Sequence, residues 1–177
     1  MRAINAFIAG VTRLNDAVGR AVALIIFAMF AFLLLEVGFR YLLNAPTVWT
    51  NELTQMLFGV YAVMSGGYVL AHGGHVNVDL LHSSLAPRKR AGLDIVTSVM
   101  FFIFTLTLLW FGIEMAWNSM AGRETSHSAW NPPIWPVKLA IPVGTGLLVL
   151  QGLAKLLQDI TVALNLNSPT NSEGERS

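Results

Sequence analysis

Four long stretches without charge constrain this chain more than any other feature. Residues 21–35 form an unbroken apolar run, 53–71 and 95–113 each run 19 residues without a charge, and 139–154 runs 16 between Lys138 and Lys155. An α-helix rises about 1.5 Å per residue, so about 20 mostly apolar residues cross a bilayer. Barrel strands would instead alternate apolar and polar residues over about 10 positions. With their flanks, the four runs predict spans at about 17–39, 53–71, 93–116 and 134–158. The expected fold is an all-α membrane protein with four transmembrane helices. Composition agrees: 54% of residues are hydrophobic and 12% charged, where soluble domains carry about 25% charge. With no cysteine, disulfide frameworks, Cys-ligated zinc, iron–sulfur clusters and thiol nucleophiles are excluded.

The first run begins after 20 residues and is followed by "EVGFRY" rather than a small-residue cleavage site. It reads as an uncleaved first span. If four helices alternate, Arg2, Arg13, Arg20, Arg88, Lys89, Arg90, Lys155 and Arg176 share one side, and Arg40, Arg123 and Lys138 the other. The positive-inside rule then places both termini and the 72–92 loop in the cytoplasm. The 40–52 and 117–134 loops then face outward, which means the periplasm if the source is a Gram-negative bacterium. All five tryptophans, Trp49, Trp110, Trp117, Trp130 and Trp135, lie toward that outer side. Residues 1–16 space Ile4, Phe7, Ile8, Val11 and Leu14 as one apolar stripe, which predicts an amphipathic helix on the cytoplasmic surface. The alternative is an inward extension of the first span. Residues 161–177 are polar and Ser/Asn-rich, an expected disordered tail beyond a 17–160 transmembrane domain.

Two clusters carry possible chemistry. His72, His75 and His82 with Asp79 have the local density of a metal site. Gly73 and Gly74 argue against a regular ligand-bearing helix, and favour a helix C-terminus with imidazoles near the negative end of its dipole. A haem site needs axial histidines facing one another inside a bundle, and no histidine lies mid-span. Neither a metal nor a cofactor is expected. Glu36, Glu52 and Glu114 fall toward the outer ends of spans, as do Arg40, Arg123 and Lys138. Glu36 and Arg40 stand at i,i+4 and can pair on one helix face. Three carboxylates and three cations at one depth predict an ion-pair network that pins helix ends; a proton or cation relay is the functional alternative. No P-loop, nucleophile elbow, zincin or dinucleotide fingerprint appears, and no enzyme activity or nucleic-acid binding is expected. Nothing ionisable is placed at the midplane of a span, so the chain reads as a partner rather than a stand-alone transporter.

Three separated blocks carry a family resemblance. In "EVGFRYLLNAPTVWTNEL", Arg40-Tyr41, Asn44, Pro46, Trp49 and Glu52 resemble the first outer loop of DctQ-type subunits of tripartite ATP-independent periplasmic (TRAP) transporters. In "GGHVNVDLLHSSLAPRKR", His75, Val76, Val78 and Asp79 resemble that family's cytoplasmic loop, though Asn77 stands where a basic residue is expected. Near the end, Ser126, Pro133, Trp135, Lys138, Pro142 and Gly144 resemble the entry to the fourth span. Glu124, Trp135-Pro136 and Lys138 are most similar to the subgroup handling 2-oxo acids, mannitol or haloaromatic acids.

The resemblance implies a small permease subunit of a sodium-coupled, binding-protein-dependent importer of an organic acid in the bacterial inner membrane. Its implied partners are a large 12-helix elevator subunit that carries the substrate site, a periplasmic substrate-binding protein, and membrane lipids. The expected assembly residues are Glu36, Arg40, Trp49, Glu52, His75, Asp79, Glu114, Trp135 and Lys138. Arg88, Lys89 and Arg90 are expected to anchor the cytoplasmic loop to anionic headgroups. The rival from another class is the membrane anchor of a haem or quinone oxidoreductase, which should show histidines at depth. A self-sufficient small transporter should show internal repeats, and the two halves of the chain do not resemble each other.

Overall fold

The computed structural model describes residues 2–73 and 87–165, and their regular structure is helical. The first helix, α1 (Arg2–Leu42), is 41 residues long, about 60 Å at the standard rise and twice the thickness of a hydrocarbon core. No break separates residues 2–16 from the first span. The expected surface helix is the inward continuation of the span, not an element set apart. The chain leaves α1 through Asn44, whose φ of 49° is a left-handed exit that asparagine tolerates. Pro46, which lacks an N–H, follows at once.

Helices α2 (Thr50–Met64) and α3 (Gly66–Ala71) form one 22-residue crossing, Thr50–Ala71, interrupted at Ser65. The interruption falls beside Gly66 and Gly67, poor helix formers. Helix α4 (Pro87–Ala121) opens on a proline, where a missing N–H costs nothing, and ends at Gly122 and Arg123, the latter at φ 44°. Helix α5 (Trp135–Asn165) contains Pro142 and takes in the first five residues, 161–165, of the expected tail. Each crossing has a segment long and apolar enough to span a membrane, Ile4–Leu42, Thr50–Ala71, Thr97–Ala121 and Trp135–Thr161.

Helix α5 is the hub. It packs against α1, α2, α3 and α4, while α4 packs substantially against α5 alone. Small residues set these approaches, as expected where lipid supplies no hydrophobic drive between helices. A Cβ on Gly144 would lie 2.8 Å from the carbonyl oxygen of Val63, and one on Gly152 2.4 Å from the Phe101 ring. Gly67 lies against the Asn15 side chain, where a Cβ would come within 2.0 Å of Oδ1.

The polarity of the bundle is the reverse of a soluble one. Leu24, Phe27 and Phe30 of α1 and Met100, Phe104 and Trp110 of α4 face outward, whereas Asn15, Thr105, Thr145 and Gln151 are buried. Asn15 Nδ2 donates to the Gln151 Oε1 at 3.0 Å and to the Val11 carbonyl at 3.1 Å, and Gln151 Nε2 donates to Thr12 Oγ1 at 3.4 Å. Within the inner part of α1, Val11 and Asn15, one turn apart, are buried on the side facing α5, while Ile4, Phe7 and Leu14 stay exposed.

Candidate functional site

At the end of the bundle expected to face outward, the exit of α1, the start of α2 and the loop between α4 and α5 join into one cap. Its centre is Glu36, whose side chain is 10% exposed. Arg40, one turn along α1, donates to Oε1 from Nε at 3.1 Å and from a second guanidinium nitrogen. On the other oxygen, Oε2, the Thr47 amide donates at 3.2 Å, the Thr50 hydroxyl at 2.7 Å, and the Thr47 hydroxyl also donates. A buried carboxylate is costly unless paired and hydrogen-bonded, and this one has partners on both oxygens. The turn 43–49 therefore folds onto the end of α1 because Thr47 and Thr50 complete a shell that Arg40 begins.

The second outer loop is stapled onto the first. Trp49 lies edge-on to Phe32 of α1, with centroids 5.9 Å apart, and tilted against Trp130 of the loop at 6.4 Å. Glu52 accepts a 2.6 Å hydrogen bond from the Ser128 hydroxyl. Within the loop, Ser126 N–H donates to the Pro132 carbonyl and Ile134 N–H to the Glu124 carbonyl, both at 3.0 Å, around an antiparallel bridge between Thr125 and Pro133. Asn131 closes the tip by accepting from the His127 amide at 3.0 Å, with both residues at positive φ.

Lys138 at the start of α5 donates to Glu124 at 2.5 Å. The Lys138 ammonium beside it holds the Glu124 carboxyl below its usual range. These residues border an open concavity of about 450 Å³ that Asn118, Arg123 and His127 also line. The arrangement carries no paired acid and base poised over a common point. What it can do is hold three chain segments at one depth and present tryptophan and polar side chains on one rim.

Several expected residues therefore meet, though not all as one network. Glu36 pairs with Arg40, Trp49 sits between α1 and the second loop, and Lys138 pairs with Glu124 rather than with one of the three span-end carboxylates. Glu52 is joined to Ser128 rather than to Arg40. Trp135 is half-buried at the first position of α5. Glu114 does not join the cap. It lies two turns below the end of α4, exposed, with no hydrogen bond or ion pair among the described residues. His75, Asp79 and His82 lie outside the described residues. Arg88, Lys89 and Arg90 fall in the first turn of α4, their side chains outside the description. Of the histidine cluster only His72 is placed, its Nε2 3.6 Å from Asp16 Oδ1 and its ring against Tyr68.

Sequence reasoning missed Thr47, Thr50 and Ser128 as carboxylate partners, and Asn15 and Gln151 as an interhelical pair. Threonines at the start of a span give no signal of their own. Asn15 and Gln151, amides inside otherwise helical apolar patterns, were the visible clue to interior polar contacts.

Comparison with known proteins points to transport. Residues 29–162 match the family model described as the DctQ component of tripartite ATP-independent periplasmic transporters. The chain is 22% identical over 144 residues to the sialic acid TRAP transporter small permease protein SiaQ of Vibrio cholerae, which covers 80% of each chain. The match spans the end of α1, both outer loops and all of the remaining crossings, so it includes every residue of the outer cap. With four crossings in an inner-membrane arrangement, this chain belongs to the DctQ family, the small permease components of TRAP transporters.

Proposed function

We propose that the chain serves as the fixed scaffold of a sodium-coupled, binding-protein-dependent importer of an organic acid. In this reading a large 12-helix subunit carries the substrate and sodium sites and moves against it. The observation that carries the reading is the placement of charge. Among the described residues the one buried charged side chain, Glu36, lies at the outer end and is fully engaged by Arg40, Thr47 and Thr50. A carrier of an anionic substrate and sodium needs ionisable or unwound backbone groups inside the bundle near mid-depth. Here the buried polar groups below the cap are neutral: the Asn15 and Gln151 amides join α1 to α5, and the Thr105 hydroxyl bonds back to its own helix.

The charge asymmetry supports a cytoplasmic location for both termini, with the outer cap on the periplasmic side, where the binding protein arrives. The first ten residues of α1, with Arg2 and the exposed Ile4 and Phe7, rest against the inner headgroups. Substrate choice then belongs to the large subunit and the binding protein. The relative's sialic acid is an organic acid, in keeping with that class.

Reconstitution tests this. Purified chain and large permease in liposomes, with binding protein outside, should take up substrate only under an inward sodium gradient, and the chain alone should take up none. Uptake by the chain alone, or uptake indifferent to sodium, would overturn the proposal.

A further inference from the structure

The cap accounts for the paired charges, and it leaves Glu114 unexplained. On α4, Thr105, Gly112, Ala116 and Ser119 are buried, the spacing of one helical stripe, and α5 is the helix packed on that stripe. Glu114 stands two residues from both Gly112 and Ala116, which at about 100° per residue turns it directly away from α5. It shares this outward face with Ile103, Thr107 and Trp110, all exposed. The Thr107 hydroxyl is already bonded to the Ile103 carbonyl at 2.7 Å, so it offers the carboxylate nothing.

Depth makes this costly. Ala121 ends α4 seven residues beyond Glu114, about 10 Å along the axis. The nearby Gly112 lies against Ile141 and Pro142, well inside the start of α5 at Trp135. Glu114 is therefore below the cap, among lipid-facing apolar side chains. Escape to the near interface is blocked by geometry: helical side chains lean toward the N-terminus, which for α4 is the far end. A glutamate has two methylenes with which to climb back. An unpaired charge facing hydrocarbon is rare, and such groups face protein or water instead. Of the three cations at this end, Arg40 is taken by Glu36 and Lys138 by Glu124, and Arg123, beyond the end of α4, lines the concavity beside Lys138, nine residues and about half a turn of direction away from Glu114.

We propose that the outward face of α4, centred on Glu114, is covered in the assembled transporter by a membrane helix of the large permease subunit whose arginine or lysine meets the Glu114 carboxylate. The inference rests on the reading of the chain as a subunit of a two-part permease and names its contact face. The partner helix buries Ile103 and Trp110 alongside the ion pair, and its cation meets a carboxylate that has no partner among the described residues of this chain. Charge complementarity also gives the interface a defined register, the best-attested use of a single buried polar group.

The chain has no cysteine, which makes the test direct. Single cysteines at Thr107 and Asn118 on this face, and at Phe27 and Leu34 on the exposed face of α1, are labelled in co-expressing membranes with a thiol-linked photo-crosslinker. Adducts with the large permease should form many-fold more from Thr107→Cys and Asn118→Cys. In parallel, the tagged chain is purified with Glu114 changed. Glu114→Lys and Glu114→Ala should lower permease recovery roughly tenfold or more, and Glu114→Gln should fall between. The melting of the isolated chain should stay unchanged, because Glu114 has no partner among the described residues.

Permease recovery unaffected by Glu114→Lys, Glu114→Gln indistinguishable from wild type, adducts mainly from the α1 face, or adducts with a second copy of the chain would each overturn the proposal. If the wild-type chain recovers no permease at all, the subunit reading itself fails, an outcome distinct from these.

Discussion

Replacing Gly144 and Gly146 separately by alanine tests how closely the hub helix is packed. Both lie on α5, two residues apart, and alanine favours the helix over glycine by about 1 kcal/mol at either site. Their surroundings differ. A Cβ on Gly144 meets Val63 Cγ1 and carbonyl oxygen at 2.8 Å and its carbonyl carbon at 2.9 Å, whereas one on Gly146 meets nothing within 4 Å. Ordinary contact begins near 3.4 Å, so α2 and α5 must separate by about half an ångström. Backbone atoms cannot rotate aside as a side-chain tip can. Overpacking of this kind costs about 1–3 kcal/mol. Gly146→Ala should then be neutral to stabilising, and Gly144→Ala should fall below it by that amount. For a chain of this size the gap corresponds to roughly 2–12 °C in melting temperature. Thermal unfolding in mild detergent, followed by tryptophan fluorescence, reads it. Equal shifts for the two variants, or a Gly144→Ala protein that melts higher, would refute the packing argument.

Other outcomes follow from the cap and the inner amide pair. Arg40→Ala and Glu52→Ala should lower uptake by loosening the cap while leaving the rank order of competing substrates unchanged; a changed order would mean these residues sense substrate. Glu124 is held below the usual carboxylate value of 4.5, so its stabilising effect is complete above that pH and is lost as pH falls through its lowered folded value. Melting temperature should therefore drop more steeply below pH 4.5 for wild type than for Glu124→Gln, by a small margin because the pair is partly exposed. Parallel curves would remove Glu124 from the account. Gln151→Leu deletes the contact to Asn15 and should cost about 0.6 kcal/mol, at most about 1.7, measured by the same melting assay; a more stable variant would show that the amide pair is not a stabilising contact.

Hydropathy alone made the four crossings legible, because a hydrocarbon core about 30 Å thick leaves little choice of length or composition. The Glu36–Arg40 pair was legible because i,i+4 neighbours meet on any helix. The partners of Glu52 and Lys138 were not, since Ser128 is 76 residues from Glu52 and reaches it only after the second loop folds over Trp49. Residues 2–16 read as amphipathic, but the pattern did not reveal that they continue α1 without a break or that Asn15 meets Gln151, 136 residues away. Glu114 was grouped with the cap because it is near the end of an apolar run. Only the packing of α4 on α5 reveals that it faces the opposite way.

The central claim is that this chain works as one part of a larger permease. A mild-detergent purification of the tagged chain from its native membranes, with partners identified and quantified by mass spectrometry, tests it most directly. A large polytopic permease should be recovered in near-equal amount. Recovery of redox subunits instead, or of the chain alone in a form that transports when reconstituted, would contradict it.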